Sequence, residues 1–288
     1  MEQTYFCPAK INLFLEVVDQ RPDGYHDIDY IMQAVTLCDT VTVGFTAGSG
    51  KITLTCDHPD LPCDERNIAY RAAQRYLAAA GLTTYDVTIH IEKKIPIAAG
   101  LAGGSTDCAG VLRALHTMLN ALSEDELFDL AKGLGADVPF CYASGCARVG
   151  GIGELLRYCP SLTRDAIIVI AKGGEGVSTA EAYRQMDLPM DPPRERLMPH
   201  DMLRALRQND GGEVAALLYN AFEPVILPQR PLAAHAKEAM IEAGAAGALM
   251  SGSGPSVFGI FYDWDDAERA YNRLLSEGYQ TFIAHPVV

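Results

Sequence analysis

The sequence predicts an α+β fold built from two domains. At 288 residues the chain is long enough for one or two domains, each with its own core. Strands and helices surround a glycine-rich turn in the first part, whereas from about Arg164 the order becomes strand, helices, two strands, helix and strand. That second order is the split βαβ arrangement of a ferredoxin-like domain. We expect domains at residues 1–158 and 159–288, with the boundary between Gly153 and Arg164.

The first domain contains a glycine-rich turn that reads Ile-Pro-Ile-Ala-Ala-Gly-Leu-Ala-Gly-Gly-Ser-Thr-Asp-Cys over residues 95–108. Residues 87–91 alternate apolar and polar, as in a half-buried strand, and a helical apolar face predicts a helix over about 106–120. A glycine-rich turn that opens a helix presents unpaired N–H groups and the positive end of the helix dipole. We therefore predict a phosphate-binding loop. The alternative is a plain strand-to-helix connection in which Ser105 caps the helix.

The remaining elements follow from periodicity and from capping signals. In the first domain we predict strands at 41–45 and 51–56, a helix at 67–80 closed by Gly81, and a short helix that a Ser123–Glu126 capping box begins and that ends near Lys132. In the second domain we predict strands at 166–171, 247–251, 256–262 and 280–285 and helices at 201–208, 213–220, 232–243 and 265–276.

Composition excludes several classes of protein. The 49% hydrophobic and 21% charged content is that of a globular chain. No apolar run approaches the length of a membrane span and the N-terminus lacks the layout of a signal peptide, so we expect a cytoplasmic protein. A net charge of −14 argues against nucleic acid and anionic membranes as partners. The eight cysteines lack zinc-site spacing, so we expect them to be reduced and mostly buried. No metal ligand is assigned, although Ser105 is a possible contact for Mg²⁺.

Polar residues stand out at two places in otherwise apolar surroundings. Lys10 and Asn12 project from the same face of a strand whose other face carries the apolar residues of 11–17. This face is either solvated or part of a site. Asp137 follows a small glycine turn and precedes a proline, where it either forms an Asx turn or serves as a catalytic carboxylate paired with a lysine.

Two further turns have a structural and a functional reading. Tyr25 and His26 follow the rigid turn Arg21-Pro22-Asp23-Gly24, from which they either bind a heterocycle or lie on the surface. The stretch Ser251-Gly252-Ser253-Gly254-Pro255-Ser256 is either a tight hairpin or a loop that closes over nucleotide phosphates.

Taken together, five segments resemble the GHMP kinase superfamily, and the resemblance covers nearly the whole chain. Each segment is weak alone, but the ordered set is specific. Asp-Gly-Tyr-His at residues 23–26 sets the chain apart from homoserine, mevalonate and galactose kinases, which carry different residues there. The five segments are 8–13, 21–26, 95–106, 135–140 and 251–256.

The resemblance implies an N-terminal domain like the second domain of ribosomal protein S5 and a ferredoxin-like C-terminal domain. It also implies transfer of the γ-phosphoryl group of ATP, with Mg²⁺, to a hydroxyl of a cytidyl diphosphate substrate of non-mevalonate isoprenoid synthesis. Alternatives are another GHMP-type small-molecule kinase and a catalytically silent nucleotide-binding homologue. The oligomeric state is left open.

The resemblance also implies roles for individual residues. The catalytic pair is Lys10 and Asp137. The substrate-binding residues are Asn12, Tyr25, His26 and Tyr183, with the two tyrosines on opposite faces of the cytosine. The ATP-binding residues are Asn67 and Lys93, near the adenosine, and the loop residues Pro96, Ile97, Ala98, Ala99, Gly100, Leu101, Ala102, Gly103, Gly104, Ser105 and Thr106.

Overall fold

A computed structural model describes residues 1–176, 178–186 and 198–288. The strands are β1 Glu2–Gln20, β2 His26–Ala47, β3 Ile52–Cys56, β4 Tyr85–Glu92, β5 Cys146–Gly151, β6 Leu155–Tyr158, β7 Ile167–Lys172, β8 Tyr219–Asn220, β9 Gly247–Met250, β10 Val257–Phe261 and β11 Gln280–Ala284. The α-helices are α1 Ile68–Ala79, α2 Gly103–Leu119, α3 Glu124–Leu134, α4 Val138–Ala143, α5 Thr179–Met186, α6 His200–Gln208, α7 Gly211–Ala216, α8 Glu223–Ile226, α9 Pro231–Glu242 and α10 Trp264–Ser276.

The described chain falls into two compact units, and neither is continuous in sequence. Unit 1 comprises Met1–Ala9, Cys38–Ile95 and Ala102–Ser144, and unit 2 comprises Lys10–Leu37, Pro96–Leu101 and Gly145–Val288. The long strands β1 and β2 each contribute residues to both units. The predicted boundary between residues 158 and 159 assumes continuous domains, and it stays a prediction.

Unit 1 packs helices against a sheet. β3 lies parallel to β4, and β4 pairs antiparallel with Thr40–Ala47 of β2. Val87, Ile89 and Ile91 of β4 are buried in the core together with apolar side chains of α1 and α2. This alternation is the one that predicted the strand.

Helix α2 lies very close to the strands because of Gly110. A Cβ atom at Gly110 would be 2.4 Å from Cys7 Sγ and 3.2 Å from Val41 Cβ. Any larger residue would have to displace these buried neighbours. The contact therefore sets the depth at which α2 packs, and with it the position of the helix start.

Unit 2 contains a four-stranded antiparallel sheet in the order β11, β7, β10, β9. Helices α9 and α10 pack against this sheet. Chain order and strand order are those of the ferredoxin-like domain that the sequence predicts. Three further ladders belong to unit 2: β5 pairs with residues 28–33 of β2 and with β6, and the short β8 pairs with residues 14–15 of β1.

The structure corrects some predicted boundaries. The helix expected at 106–120 begins at Gly103, so the last loop glycines form its first turn. The helix expected at 213–220 ends at Ala216, because Tyr219 and Asn220 pair with β1. Strands β5 and β6 have no counterpart in the prediction. Across the described ranges, every helix is too short or too polar to traverse a bilayer.

Candidate functional site

The polar face at the middle of β1 is buried in unit 2. Lys10 is 4% exposed and Asn12 is fully buried, which contradicts a solvated face. The Lys10 ammonium donates to Asn12 Oδ1 at 2.7 Å and to the carbonyl oxygen of Gly100 at 2.9 Å. Asn12 Nδ2 is buried without a hydrogen-bond partner among the described residues. A buried amide donor of this kind is expected to face a ligand, because leaving it unpaired costs about 1–3 kcal/mol.

The loop segment Pro96–Leu101 lies between β1 and the hairpin turn that begins at Ser251. The Gly100 carbonyl also accepts a hydrogen bond from Ser251 Oγ at 3.0 Å, and the Lys10 N–H donates to Leu101 O at 3.1 Å. Gly100 has φ +75°, and a Cβ atom there would lie 2.1 Å from Ser251 O. Only glycine fits this position. The stretch Ser251–Ser256 is thus packed against the loop. A contact of this stretch with nucleotide phosphates stays a prediction.

Asn220 supports the same hairpin turn and was not identified from the sequence. Its Nδ2 donates to Met250 O at 2.7 Å and to Gly252 O at 2.8 Å, while its Oδ1 accepts from Phe222 N–H. A single asparagine within a short apolar segment carries no periodic signal, so only the structure reveals this role.

The start of α2 presents backbone donors in unit 1. The N-cap residue, Ala102, has φ +58° and makes no side-chain cap, so the idea that Ser105 caps this helix is wrong. The first intrahelical bond is Thr106 N–H to Ala102 O at 2.9 Å, which leaves the N–H groups of the three preceding residues without helical partners. A Cβ atom at Gly104 would approach only Ile68 Cδ1, at 3.9 Å. Backbone donors at a helix start, with space beside Gly104, fit a phosphate group.

The hydroxyl of Thr106 is bonded to strand β1. It donates to Pro8 O at 2.9 Å, and the residue is 1% exposed. Because a hydroxyl carries one proton and the backbone N–H of Thr106 donates to Ala102 O, both donors of Thr106 are already engaged. A contact of Thr106 with ATP stays a prediction.

A buried ionic cluster lies in unit 1 beside the two ends of the loop. The Lys93 ammonium contacts Asp39 Oδ2 and donates to Asp107 Oδ2 at 2.8 Å, and the Lys93 side chain is 4% exposed. Burial raises the pKa of Asp107 to about 8, an effect that Lys93 opposes and Asp39 reinforces. Burial disfavours the charged form of Lys93, but Asp107 and Asp39 together raise its pKa above the usual value.

This cluster bears on the predicted adenosine contact of Lys93. Its ammonium already lies between Asp39 and Asp107, and its backbone N–H donates to Asp57 Oδ1 at 2.9 Å. These bonds account for Lys93 on structural grounds, and its contact with adenosine stays a prediction. Asp39 was missed from the sequence. The sequence feature that could have identified it is an acidic residue among the apolar residues of β2, because a charge in such surroundings requires a partner.

Asn67 is the N-cap of α1. Its Oδ1 accepts from Ala69 N–H at 2.9 Å, and its Nδ2 donates to Pro62 O at 3.0 Å. These bonds account for an asparagine here on structural grounds. A contact of Asn67 with adenosine stays a prediction.

Asp137 precedes α4 in unit 1 and is half-buried. Its backbone carbonyl accepts from Cys141 N–H at 2.9 Å, but its side chain makes no capping hydrogen bond. The Asx-turn interpretation therefore does not hold, and the catalytic role of Asp137 stays a prediction.

Aromatic residues of unit 2 gather around Tyr183. The rings of His26 and Tyr183 stack at a centroid distance of 4.6 Å and an angle of 20°. Tyr183 also meets Phe222 edge-on at 5.1 Å, and its hydroxyl lies 2.8 Å from that of Tyr30. Tyr25 is 62% exposed. Tyr30 was not singled out from the sequence, because a tyrosine in a β-strand is usually a packing residue.

Within residues 1–176, 178–186 and 198–288, no group of three or more His, Cys, Asp and Glu side chains is arranged to hold a metal ion. A cation that accompanies a nucleotide has other ligands available, because Mg²⁺ is commonly bound by phosphate oxygens, waters and one or two carboxylates.

Comparison with known proteins gives matches along the whole chain. Residues 67–145 match the model of the GHMP kinases N terminal domain, and residues 202–280 match that of the GHMP kinases C terminal. The 4-diphosphocytidyl-2-C-methyl-D-erythritol kinase of Alkaliphilus metalliredigens is 42% identical over 268 residues, which cover 92% of this chain and 90% of that protein. The kinase of the same name from Pelotomaculum thermopropionicum is 42% identical over 284 residues, 97% of this chain and 96% of its own length.

A solved structure agrees with these matches. The crystal structure of a 4-(cytidine 5'-diphospho)-2C-methyl-D-erythritol kinase superposes with a TM-score of 0.82 at 33% identity, and the match covers 99% of this chain and all of that one. The predicted α+β fold, with its S5 domain 2-like and ferredoxin-like domains, is confirmed by this likeness and by the two family models. The chain therefore belongs to the GHMP kinase family, whose members are ATP-dependent small-molecule kinases.

Proposed function

We propose that the chain transfers the γ-phosphoryl group of ATP to the 2-hydroxyl of 4-diphosphocytidyl-2-C-methyl-D-erythritol, a step of non-mevalonate isoprenoid synthesis. The relatives named for this activity match over nearly their full length. The observation in the structure that carries the proposal is the buried Lys10 ammonium bound to both Asn12 and the Gly100 carbonyl. It attaches a positive charge directly to the glycine-rich loop. We expect the enzyme to act in the cytoplasm, where ATP is available.

The loop and the start of α2 would hold the donor phosphates. The N–H groups of Gly103, Gly104 and Ser105 lack helical partners, and the positive end of the helix dipole lies at the same place. Mg²⁺, when bound to ATP, would neutralise part of the phosphate charge.

Asp137 would accept the proton of the attacking hydroxyl, since its carboxylate makes no capping bond. Lys10 would stabilise charge that develops on the transferred phosphoryl oxygens. In phosphoryl transfer, catalysis consists mainly of positioning and charge stabilisation, and these are the roles proposed for each group.

The aromatic group of unit 2 would recognise the cytidyl end of the substrate. His26 and Tyr183 already stack on one another, and the exposed Tyr25 lies in the same turn as His26. Cytosine would stack between Tyr25 and Tyr183 and form a hydrogen bond with His26. The amide donor of Asn12, which has no partner in the part of the chain that the structure describes, would contact the methylerythritol end.

The test is release of ADP from Mg-ATP in the presence of the cytidyl substrate, with mevalonate, homoserine and galactose in parallel. Turnover of the cytidyl substrate alone, with a new phosphomonoester resonance in the phosphorus NMR spectrum, is the expected result. Turnover of another alcohol instead would keep the kinase and reject the substrate. Binding of Mg-ATP without turnover of any of them would identify a silent homologue.

A further inference from the structure

Asp39 accepts hydrogen bonds from the backbone just before the glycine-rich loop. Its Oδ1 accepts the backbone N–H groups of Lys94 at 2.7 Å and of Ile95 at 2.8 Å, and the residue is fully buried. These are the last two residues before the loop begins at Pro96. A single carboxylate oxygen thus fixes the direction in which the chain leaves β4.

Lys93 connects this entrance to the other end of the loop. Its ammonium bridges Asp39 to Asp107, which lies on the first turns of α2. A Cβ atom at Gly103 would lie 3.2 Å from Lys93 Nζ and 3.1 Å from Ile95 Cγ2, so the first residue of the helix lies directly against the cluster. The entrance and the exit of residues 96–102 are therefore held by one set of contacts.

The charges of the cluster show that it is not a simple ion pair. Two carboxylates share one ammonium, and Asp107 Oδ1 is buried without a hydrogen-bond partner among the described residues. Replacing a buried ionic group by apolar residues often costs nothing in stability. Retaining three such groups beside the loop is easier to explain by the geometry that they impose than by the stability that they add.

We propose that Asp39 and Lys93 are positioning residues, which act with Asp107 to hold the glycine-rich loop in the shape that binds the donor phosphates. The proposal deepens the proposed function and depends on its ATP-binding part only. It assigns to Lys93 a role through its side chain that differs from a direct adenosine contact.

The test is the affinity for Mg-ATP alone, measured by calorimetry at 15 °C for Asp39→Asn and Lys93→Met. We expect the Kd of Mg-ATP to rise at least about tenfold in each variant, because small displacements of a positioning group have large effects on a bound ligand. The Kd of CDP, a probe of the cytidyl site, should change by less than about twofold. In the kinase assay, KM for ATP should rise more than KM for the cytidyl substrate.

Asp86→Asn is the matched control. Asp86 also uses one carboxylate oxygen to accept two backbone N–H groups, those of Ser49 and Lys51, each at 2.8 Å, but it lies near the opposite end of β4. This variant should bind Mg-ATP as the wild type does. A double variant of Asp39 and Lys93 should weaken Mg-ATP binding by less than the product of the two single effects, because the residues act as a unit.

Several results would overturn the proposal. Folded variants that lose thermal stability but bind Mg-ATP within about twofold of the wild type would show a merely structural cluster. An equal loss of CDP affinity, or a double variant whose effect equals the product, would exclude a specific role at the loop. If Lys93→Met does not fold, Asp39→Asn with Lys93→Gln decides the question. A wild type that binds Mg-ATP without turning over the cytidyl substrate refutes the proposed substrate and leaves this proposal standing, whereas a wild type that binds no Mg-ATP refutes both.

Discussion

The ammonium of Lys10 lies 2.9 Å from the carbonyl oxygen of Gly100, a residue 90 positions later in the chain. The carbonyl accepts a second hydrogen bond from Ser251 Oγ, so three distant segments meet at one backbone oxygen. A buried charge with fixed partners is already oriented before any substrate binds, which is the condition for effective electrostatic stabilisation of a transition state.

Replacing Lys10 by Met should lower kcat by a factor on the order of 10² to 10³, the usual effect of removing one preorganised stabilising group. Methionine preserves length and apolar packing, and the Gly100 carbonyl keeps its bond from Ser251. Steady-state kinetics and circular dichroism measure turnover and folding. Lys51→Met, at an exposed lysine, should retain wild-type turnover. A loss below about tenfold for Lys10→Met would assign Lys10 a structural role.

Replacing Asp137 by Asn should preserve folding and the affinity for Mg-ATP while lowering kcat by about 10² or more, because an amide accepts no proton. The substitution disturbs little, since the Asp137 side chain caps no helix. Single-turnover kinetics separate the chemical step from binding. Asp125→Asn, at an exposed acid of α3, is the control and should leave the rate unchanged. Near-normal turnover of Asp137→Asn would remove Asp137 from the role of base.

Replacing Tyr25 or Tyr183 by Leu should weaken CDP binding by about tenfold, since stacking of a base on an aromatic ring contributes about 1–3 kcal/mol. The affinity for Mg-ATP should not change. Tyr30→Phe removes only the hydroxyl that lies 2.8 Å from the Tyr183 hydroxyl, so a smaller effect on CDP is expected. Calorimetric titration with each nucleotide provides the comparison. Equal weakening of CDP and ATP binding would argue against a cytosine site at Tyr183.

Asp107 should make the free energy of unfolding depend on pH. Its pKa is about 8 in the folded protein and about 3.8 when unfolded, so between these values the folded state binds more protons than the unfolded state. The free energy of unfolding should therefore fall as pH rises from 5 to 8, by at most about 1.4 kcal/mol per pH unit. Burial keeps the neighbouring Cys7 and Cys108 thiols neutral in this range by raising their pKa values.

The comparison that tests this slope is urea unfolding of the wild type and Asp107→Asn at pH 5, 6.5 and 8. The variant lacks the titrating group, so its stability relative to the wild type should increase steadily with pH. Parallel pH profiles of the two proteins would show that Asp107 is already ionised throughout this range.

Much of the fold was predictable because its elements have strong periodicity. The alternation in β4 and the helical faces of α1 and α10 gave boundaries within a few residues of those observed. Strands β5 and β6 were missed, because exposed apolar residues such as Leu155 and Tyr158 blur the alternation. The helix expected at 213–220 ended early because pairing of Tyr219 with β1 overrides local helical preference.

The candidate site was predictable only where residues form local motifs. The glycine-rich loop could be identified because its motif consists of adjacent residues. The choice between a solvated and a buried Lys10 depends on what covers β1, and the sequence contains no local information on that. Asp39 acts through backbone groups 55 and 56 positions away, so no spacing rule identifies it.

The interleaved segments of the two units have a consequence for how the protein is made. All residues of unit 1 have been synthesised once the ribosome passes Ser144. Unit 2 begins at Lys10, but its four-stranded sheet is complete only when β11, near the C-terminal end of the chain, pairs with β7. On the ribosome, all residues of the unit 1 core are therefore present before the Ser251 turn, which packs against the loop that Lys10 contacts, has been synthesised. A messenger truncated after the first half would yield a chain with an N-terminal core and no assembled Lys10–Gly100–Ser251 contact.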